Sequence, residues 1–197
     1  MLACFRSAFE YLTGNPYTWE QLENLTGYEP KRAAWTVKIW TELSQDGFDI
    51  RMIEGFDYKK YHEQGEAYLH IFLKPEEVEW QLRESNLAQI RPLIPTFLKN
   101  VQYEQRSPQL DDIDTMLHDG FLVFVQLNSK ILNNKDGYTA HMILLHGKEG
   151  DEYIAHDPGL PPHPNRHIPK TLLLKAMGGI NNTVEVTGIK LKNVEPL

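Results

Sequence analysis

The stretch that most constrains this chain runs from Tyr138 to Gly159, where two apolar, β-rich segments flank the polar turn Gly147-Lys148-Glu149-Gly150-Asp151. That pattern specifies an antiparallel hairpin. A turn centred on Glu149 sets His141 directly opposite Asp157, and opposed residues have Cβ atoms roughly 4.5–5.5 Å apart. A carboxylate at that distance can fix the ring and tautomer of an imidazole and stabilise its cation. The same two residues also suit a solvent-exposed polar hairpin end, and the hairpin alone leaves the two readings even. Period-2 alternation pairs His146 with Glu152 and His156 with Met142, turned away from His141 and Asp157. It therefore separates the five histidines between residues 141 and 167 and argues against a metal site. His163 and His167 are four apart, but Pro164-Asn165 between them disfavours the helix that would give this spacing meaning.

Upstream the pattern is helical. Phe5, Ala8, Phe9 and Leu12 share one face of a helix over 3–12, stopped by Gly14-Asn15-Pro16. Thr18 and Gln21 form a capping box that opens a short helix to Leu25. A third helix is expected over 31–44, with Ala33, Val37, Trp40 and Leu43 inward, ending at Asp46-Gly47. Strands are expected over 48–53 and 66–73, then a helix with Pro75 in its first turn. Pro92 and Pro95 interrupt the region 85–106. The region from Pro75 to Gln105 reads as a helical cover of the core, or as a lid or specificity insert. Ser107-Pro108 caps a helix to His118. A buried strand follows over 121–127, then the hairpin, a helix over 169–177 closed by Gly178-Gly179, and a final strand over 184–191. Helices first and an antiparallel sheet afterwards make one α+β domain over 1–197.

A chain of 197 residues with 41% apolar content holds one domain with a real core. Its net charge of −7, without a stripe of interleaved basic and aromatic residues, argues against a nucleic-acid partner. The acidic balance favours neutral or basic peptides as ligands. No apolar run approaches the roughly 20 residues that span a bilayer, so no membrane partner is expected. The opening MLACFRSAFEYLTG carries Arg6 and Glu10 within its apolar stretch and does not read as a signal peptide. The single cysteine excludes an intrachain disulfide, and the chain is expected to be cytoplasmic.

That cysteine, Cys4, opens the first helix, where unpaired N–H groups and the nearby α-amino group favour a thiolate. A small buried hydrophobe on an amphipathic helix is the other reading of the same residue. The order of phrases is more informative than any one of them. After Cys4 come Leu43-Ser-Gln-Asp-Gly47-Phe48 and then Asp111-Asp112-Ile113-Asp114, which runs through Gly120 into the strand to Asn128. Gly137-Tyr-Thr-Ala-His141 and Ala155-His-Asp157-Pro158-Gly159 close the series. The series resembles the papain-like peptidases of cysteine peptidase family 39, the bacteriocin-processing peptidases, and their stand-alone relatives. The resemblance is loose before residue 107 and close from 107 to 177. It implies a papain-like fold in which Cys4 is the nucleophile, His141 the base and Asp157 the orienting acid. It also implies a peptide or small amide substrate, a thioester intermediate and no cofactor. Such enzymes carry a glutamine shortly before the cysteine that helps bind the oxyanion, whereas Met1, Leu2 and Ala3 precede Cys4 here. The natural start lies upstream, or Gln126 substitutes, or the site is weak and the chain is a binding module.

Overall fold

The structure, a computed structural model, describes residues 1–178 and 184–192. Helices α1 (Leu2–Thr13), α2 (Trp19–Thr26) and α3 (Val37–Gln45) precede strand β1 (Phe48–Glu54). Four helices follow, α4 (Tyr58–Gln64), α5 (Glu66–Phe72), α6 (Pro75–Glu84) and α7 (Leu87–Ile90), and a 3-10 turn at Arg91–Leu93 leads into α8 (Ile94–Asn100). Next come β2 (Gln102–Gln105), α9 (Leu110–His118), β3 (Leu122–Asn128) and the single turn α10 (Ser129–Leu132). The hairpin is β4 (Ala140–Glu149) and β5 (Glu152–Asp157), followed by β6 (His163–Pro169), α11 (Lys170–Gly178) and β7 (Val186–Leu191).

Local chemistry accounts for most of these boundaries. The Thr18 side chain accepts from the Gln21 amide and the Gln21 side chain accepts from the Thr18 amide, so α2 begins where its capping box lies. Gly14 and Gly27 end α1 and α2 in the left-handed region. Helix α9 starts where the Asp112 side chain accepts from the Gln109 amide at 2.7 Å, two residues beyond the Ser107-Pro108 start expected of it. Pro169 ends β6 instead of opening the last helix. The expected stop at Gly178-Gly179 falls partly on Gly179, outside the described residues.

The structure departs from the expected elements in the first half of the chain as well. The segment expected as a strand over 66–73 is instead the helix α5, Glu66–Phe72. The third helix begins at Val37, because residues 32–35 are held in an extended connection by partners far along the chain. Ala33 bridges Ser85, and the Trp35 amide donates to the Asn86 side chain at 2.7 Å.

The fold is α+β, built on one seven-stranded sheet in the order β2-β1-β7-β3-β4-β5-β6. The sheet is mixed and not wholly antiparallel, since β2 lies parallel to β1 while every other pairing is antiparallel. Both faces are covered. On one, Phe5, Trp40 and Leu69 from the early helices pack against Met52, Phe124, Met142 and Leu144. On the other, Ile113 of α9 and Leu173 of α11 pack against Val123, Val125, Ile143 and Leu145. Burial on both faces explains why residues 122–125 of β3 and 142–145 of β4 are unbroken apolar runs, each large side chain contributing roughly 1.5–3 kcal/mol. No helix among the described residues is long and apolar enough to cross a membrane.

Candidate active site

His141 stands at the start of β4, and the preceding loop is tied down by Asn128, which ends β3. The Asn128 side-chain oxygen Oδ1 accepts from the amides of Lys130 and Thr139, and its Nδ2 donates to the Gly137 carbonyl. The strand entry that presents His141 is thus fixed by one buried side chain.

His141 Nε2 and Asp157 Oδ1 are 2.6 Å apart. The register that brings them together differs from the expected one. The turn is Gly150-Asp151, with Glu149 paired to Glu152, and a bulge between Leu145 and Gly147 then moves the ladder back by one. Beyond the bulge Leu144 faces His156, so His141 and Asp157 are diagonal and not directly opposed. The net slip is even, so both keep the same face, which a one-residue slip would have reversed. His156 accordingly pairs with Leu144 and not Met142, and His146 falls at the bulge and not opposite Glu152.

Two residues not singled out by sequence complete the setting. A Cβ at Gly159 would lie 3.1 Å from Asp157 Oδ1 and 3.6 Å from the His141 ring, so glycine leaves room for the pair. The Gly159 amide also donates to that oxygen at 3.1 Å. Arg166 of β6 donates to Asp157 Oδ2 at 2.9 Å and, through its other nitrogen, to the Leu132 carbonyl. Pro164 and Pro169 disguise β6 in the sequence, which hid Arg166.

Asp157 is 3% exposed, and burial alone would raise its pKa. The His141 hydrogen bond, the Gly159 amide and Arg166 outweigh burial and hold it at about 2, below its ordinary 3.8. Because the folded value is the depressed one, this carboxylate stabilises the fold fully above about pH 4. The contribution, on the order of 2 kcal/mol, is lost as pH falls through about 2. Urea unfolding between pH 2 and 5 should therefore show a slope that Asp157→Asn flattens. An unchanged slope in the variant would mean that the pair carries no such linkage.

Cys4 does not behave as its place in the first turn of α1 suggested. Its side chain is fully buried, and its Sγ donates to the Met142 carbonyl at 3.2 Å. Burial pushes the thiol up to about 12, with the nearby α-ammonium opposing and the Asp157 charge adding. The resting thiol is therefore protonated, against the expected thiolate. Helix N-terminus and amine do not compensate for the loss of water around the sulfur. No hydrogen bond joins Cys4 to His141 among the described residues, although the thiol's acceptor belongs to the next residue of β4.

A cavity of about 650 Å³ opens beside this point. His141, Met142 and Gln126 form one side, and Trp35, Trp80 and Gln81 form another. Helix α6 therefore covers a cavity and not only core. Gln126 pairs with Met142 across the β3–β4 ladder, and its side-chain amide makes no hydrogen bond among the described residues. Cys4 is not part of the cavity wall.

No known protein-family model matches the chain, and no characterised protein matches it either.

Proposed function

We propose that this chain is a cysteine-dependent amide hydrolase or acyl-transfer enzyme on a papain-like scaffold, with Cys4 as nucleophile, His141 as base and Asp157 as orienting acid. The observation that carries this reading is the 2.6 Å contact between Asp157 and a half-buried His141 on the wall of a cavity, one residue from the carbonyl that holds the Cys4 thiol. A carboxylate kept ionised by Arg166 favours the imidazolium that proton transfer creates.

In this mechanism the Cys4 thiol leaves the Met142 carbonyl and gives its proton to His141. The thiolate attacks the carbonyl carbon of an amide, and the Gln126 amide donates to the developing oxyanion. The intermediate collapses to a thioester as the C–N bond breaks, and His141 returns the proton to the leaving amine. A water molecule, or an amine in transfer, gives a proton to His141 and attacks the thioester. Cys4 then leaves as the thiol. No metal or organic cofactor takes part.

A second reading, a binding module that has kept the scaffold, is favoured by the burial of Cys4 and its raised pKa. Alkylation separates the two by sign. A free thiol of pKa about 8.5 reacts slowly at pH 6. A catalytic Cys4 should be labelled by an electrophilic peptide probe faster than free cysteine under those conditions. The resting thiol, near 12, should react about three orders of magnitude slower than free cysteine at equal intrinsic reactivity. Peptide mapping of the labelled protein reads the outcome, and the slower rate would return Cys4 to the core.

A further inference from the structure

The cavity beside His141 has two carboxylates in its lining, Glu54 at the end of β1 and Glu185 just before β7. Both are almost completely buried, at 3% and 6% exposure. The β1–β7 ladder pairs Ile53 with Val186, so one further step sets Glu54 beside Glu185. Two like charges placed side by side away from water repel, and such an arrangement persists only where something offsets it.

The two are not equally provided for. Glu185 accepts from Thr36, Trp40 and Thr187 at 2.7–2.9 Å. Glu54 accepts one side-chain bond, from Tyr58 to Oε2 at 2.6 Å, and its Oε1 has no donor among the described residues. Burial and the Glu185 charge hold Glu54 well above the usual carboxylate range. Among the described residues of the cavity wall, Arg32 has Nη1 on Glu29 and Nη2 on the Ser85 carbonyl, with its Nε left without a hydrogen bond, and neither it nor Met1, which carries the α-amino group, makes an ion pair or hydrogen bond with either carboxylate side chain. The rest of the wall includes the indoles of Trp35 and Trp80 and the ring of Tyr28, surfaces suited to an alkyl stem or a cation over a π-face.

We propose that this cavity binds a ligand through an alkyl-borne cation, a lysine-like ammonium or a guanidinium, seated against Glu54 and Glu185 with its stem along the indole wall. A cation brought between the carboxylates draws Glu54 into its ionised form and supplies the donor that Oε1 lacks. The inference holds whether or not Cys4 is catalytic, and it names a basic side chain as the feature recognised.

The test is equilibrium binding followed by tryptophan fluorescence, with N-acetyl-Ala-Lys-Ala-amide and the same peptide carrying norleucine in place of lysine. The lysine peptide should bind at least about tenfold more tightly. Glu54→Gln, which can still accept from Tyr58, should remove that preference and leave the norleucine peptide unaffected. Cys4→Ala should keep the preference, so a failure of the catalytic reading leaves this result standing. Equal binding of the two peptides, or no binding of the lysine peptide at millimolar concentration, would overturn the proposal without any variant. A preference that survives Glu54→Gln in a variant with native thermal unfolding would overturn the assignment to this cavity.

Discussion

Cys4→Ala and His141→Ala should each lower kcat/KM for a fluorogenic peptide amide by on the order of 10⁴-fold, and the double variant should be no worse than either. The non-additivity is the informative part. If the imidazole acts only by taking the thiol proton, it has nothing to do once the sulfur is gone. Two groups working as one unit cannot be removed twice. Asp157→Asn should cost less than His141→Ala, because an amide can still orient the ring while stabilising its cation poorly. The substitution also removes the charge that pairs with Arg166 at 2.9 Å, so its effect on stability must be measured beside its effect on rate. Turnover that survives Cys4→Ala would remove the nucleophile from the mechanism. Effects of the two variants that multiply would mean that His141 serves some other step.

The resting position of the thiol gives that prediction its edge. A sulfur with no exposure, bonded to the Met142 carbonyl, has to exchange that bond for contact with substrate before it can react. Alternation along β4 adds a second requirement. Met142 and Leu144 pack the core that contains Cys4, while Ile143 and Leu145, of the same parity as His141, pack the other. His141, the second residue of β4, nevertheless lines the cavity. The proposed mechanism therefore requires the α1 start and the β4 start to move together, with substrate in the cavity as the event that would drive it.

The sequence showed the local rules and missed those set at a distance. The Thr18–Gln21 box, the α1 face and the β3 run were legible because each is complete within a few residues. His141 and Asp157 were matched for a reason that was only partly right. The turn lies later than Glu149, and the bulge after Leu145 takes back one position, so the pair survived as diagonal neighbours. Bulges leave no dependable mark in a single sequence. The extended segment at 32–35 depends on Ser85 and Asn86, some fifty residues away, and no local propensity reveals such a partner. Helix α5 reads as a strand in the sequence because Tyr68, Leu69, Ile71 and Phe72 are β-favouring or apolar, while in the fold Tyr68 and Phe72 pack on Phe56 from a helix. Glu185 offered a usable signal, a lone acid within Val184-Glu-Val-Thr-Gly-Ile189, since a charge on a buried strand is retained for a partner or a ligand.

Trp40→Ala should destabilise the protein by about 3–5 kcal/mol, the largest stability loss expected from a single truncation near the site. The side chain is fully buried, with its ring centroid 4.9 Å from that of Phe5 and 5.2 Å from that of Phe124. Phe5 follows Cys4 in α1 and also meets Phe124 at 4.7 Å, so this aromatic trio seats α1 on the sheet and sets the depth of the thiol. The indole also donates to Glu185 Oε1 at 2.9 Å, so truncation leaves a cavity in the core and removes one of three donors from a buried carboxylate. Trp40→Phe separates the two costs, since it keeps most of the packing and loses the donor, with an expected loss of about 1–3 kcal/mol. Urea unfolding gives both values, and Trp40→Ala should also speed alkylation of Cys4 as the α1 start loosens. A loss below about 1 kcal/mol for Trp40→Ala would show that the trio does not hold α1 in place. An alkylation rate unchanged by the variant would show that the depth of Cys4 is set elsewhere, by the Met142 carbonyl and not by the packing behind it.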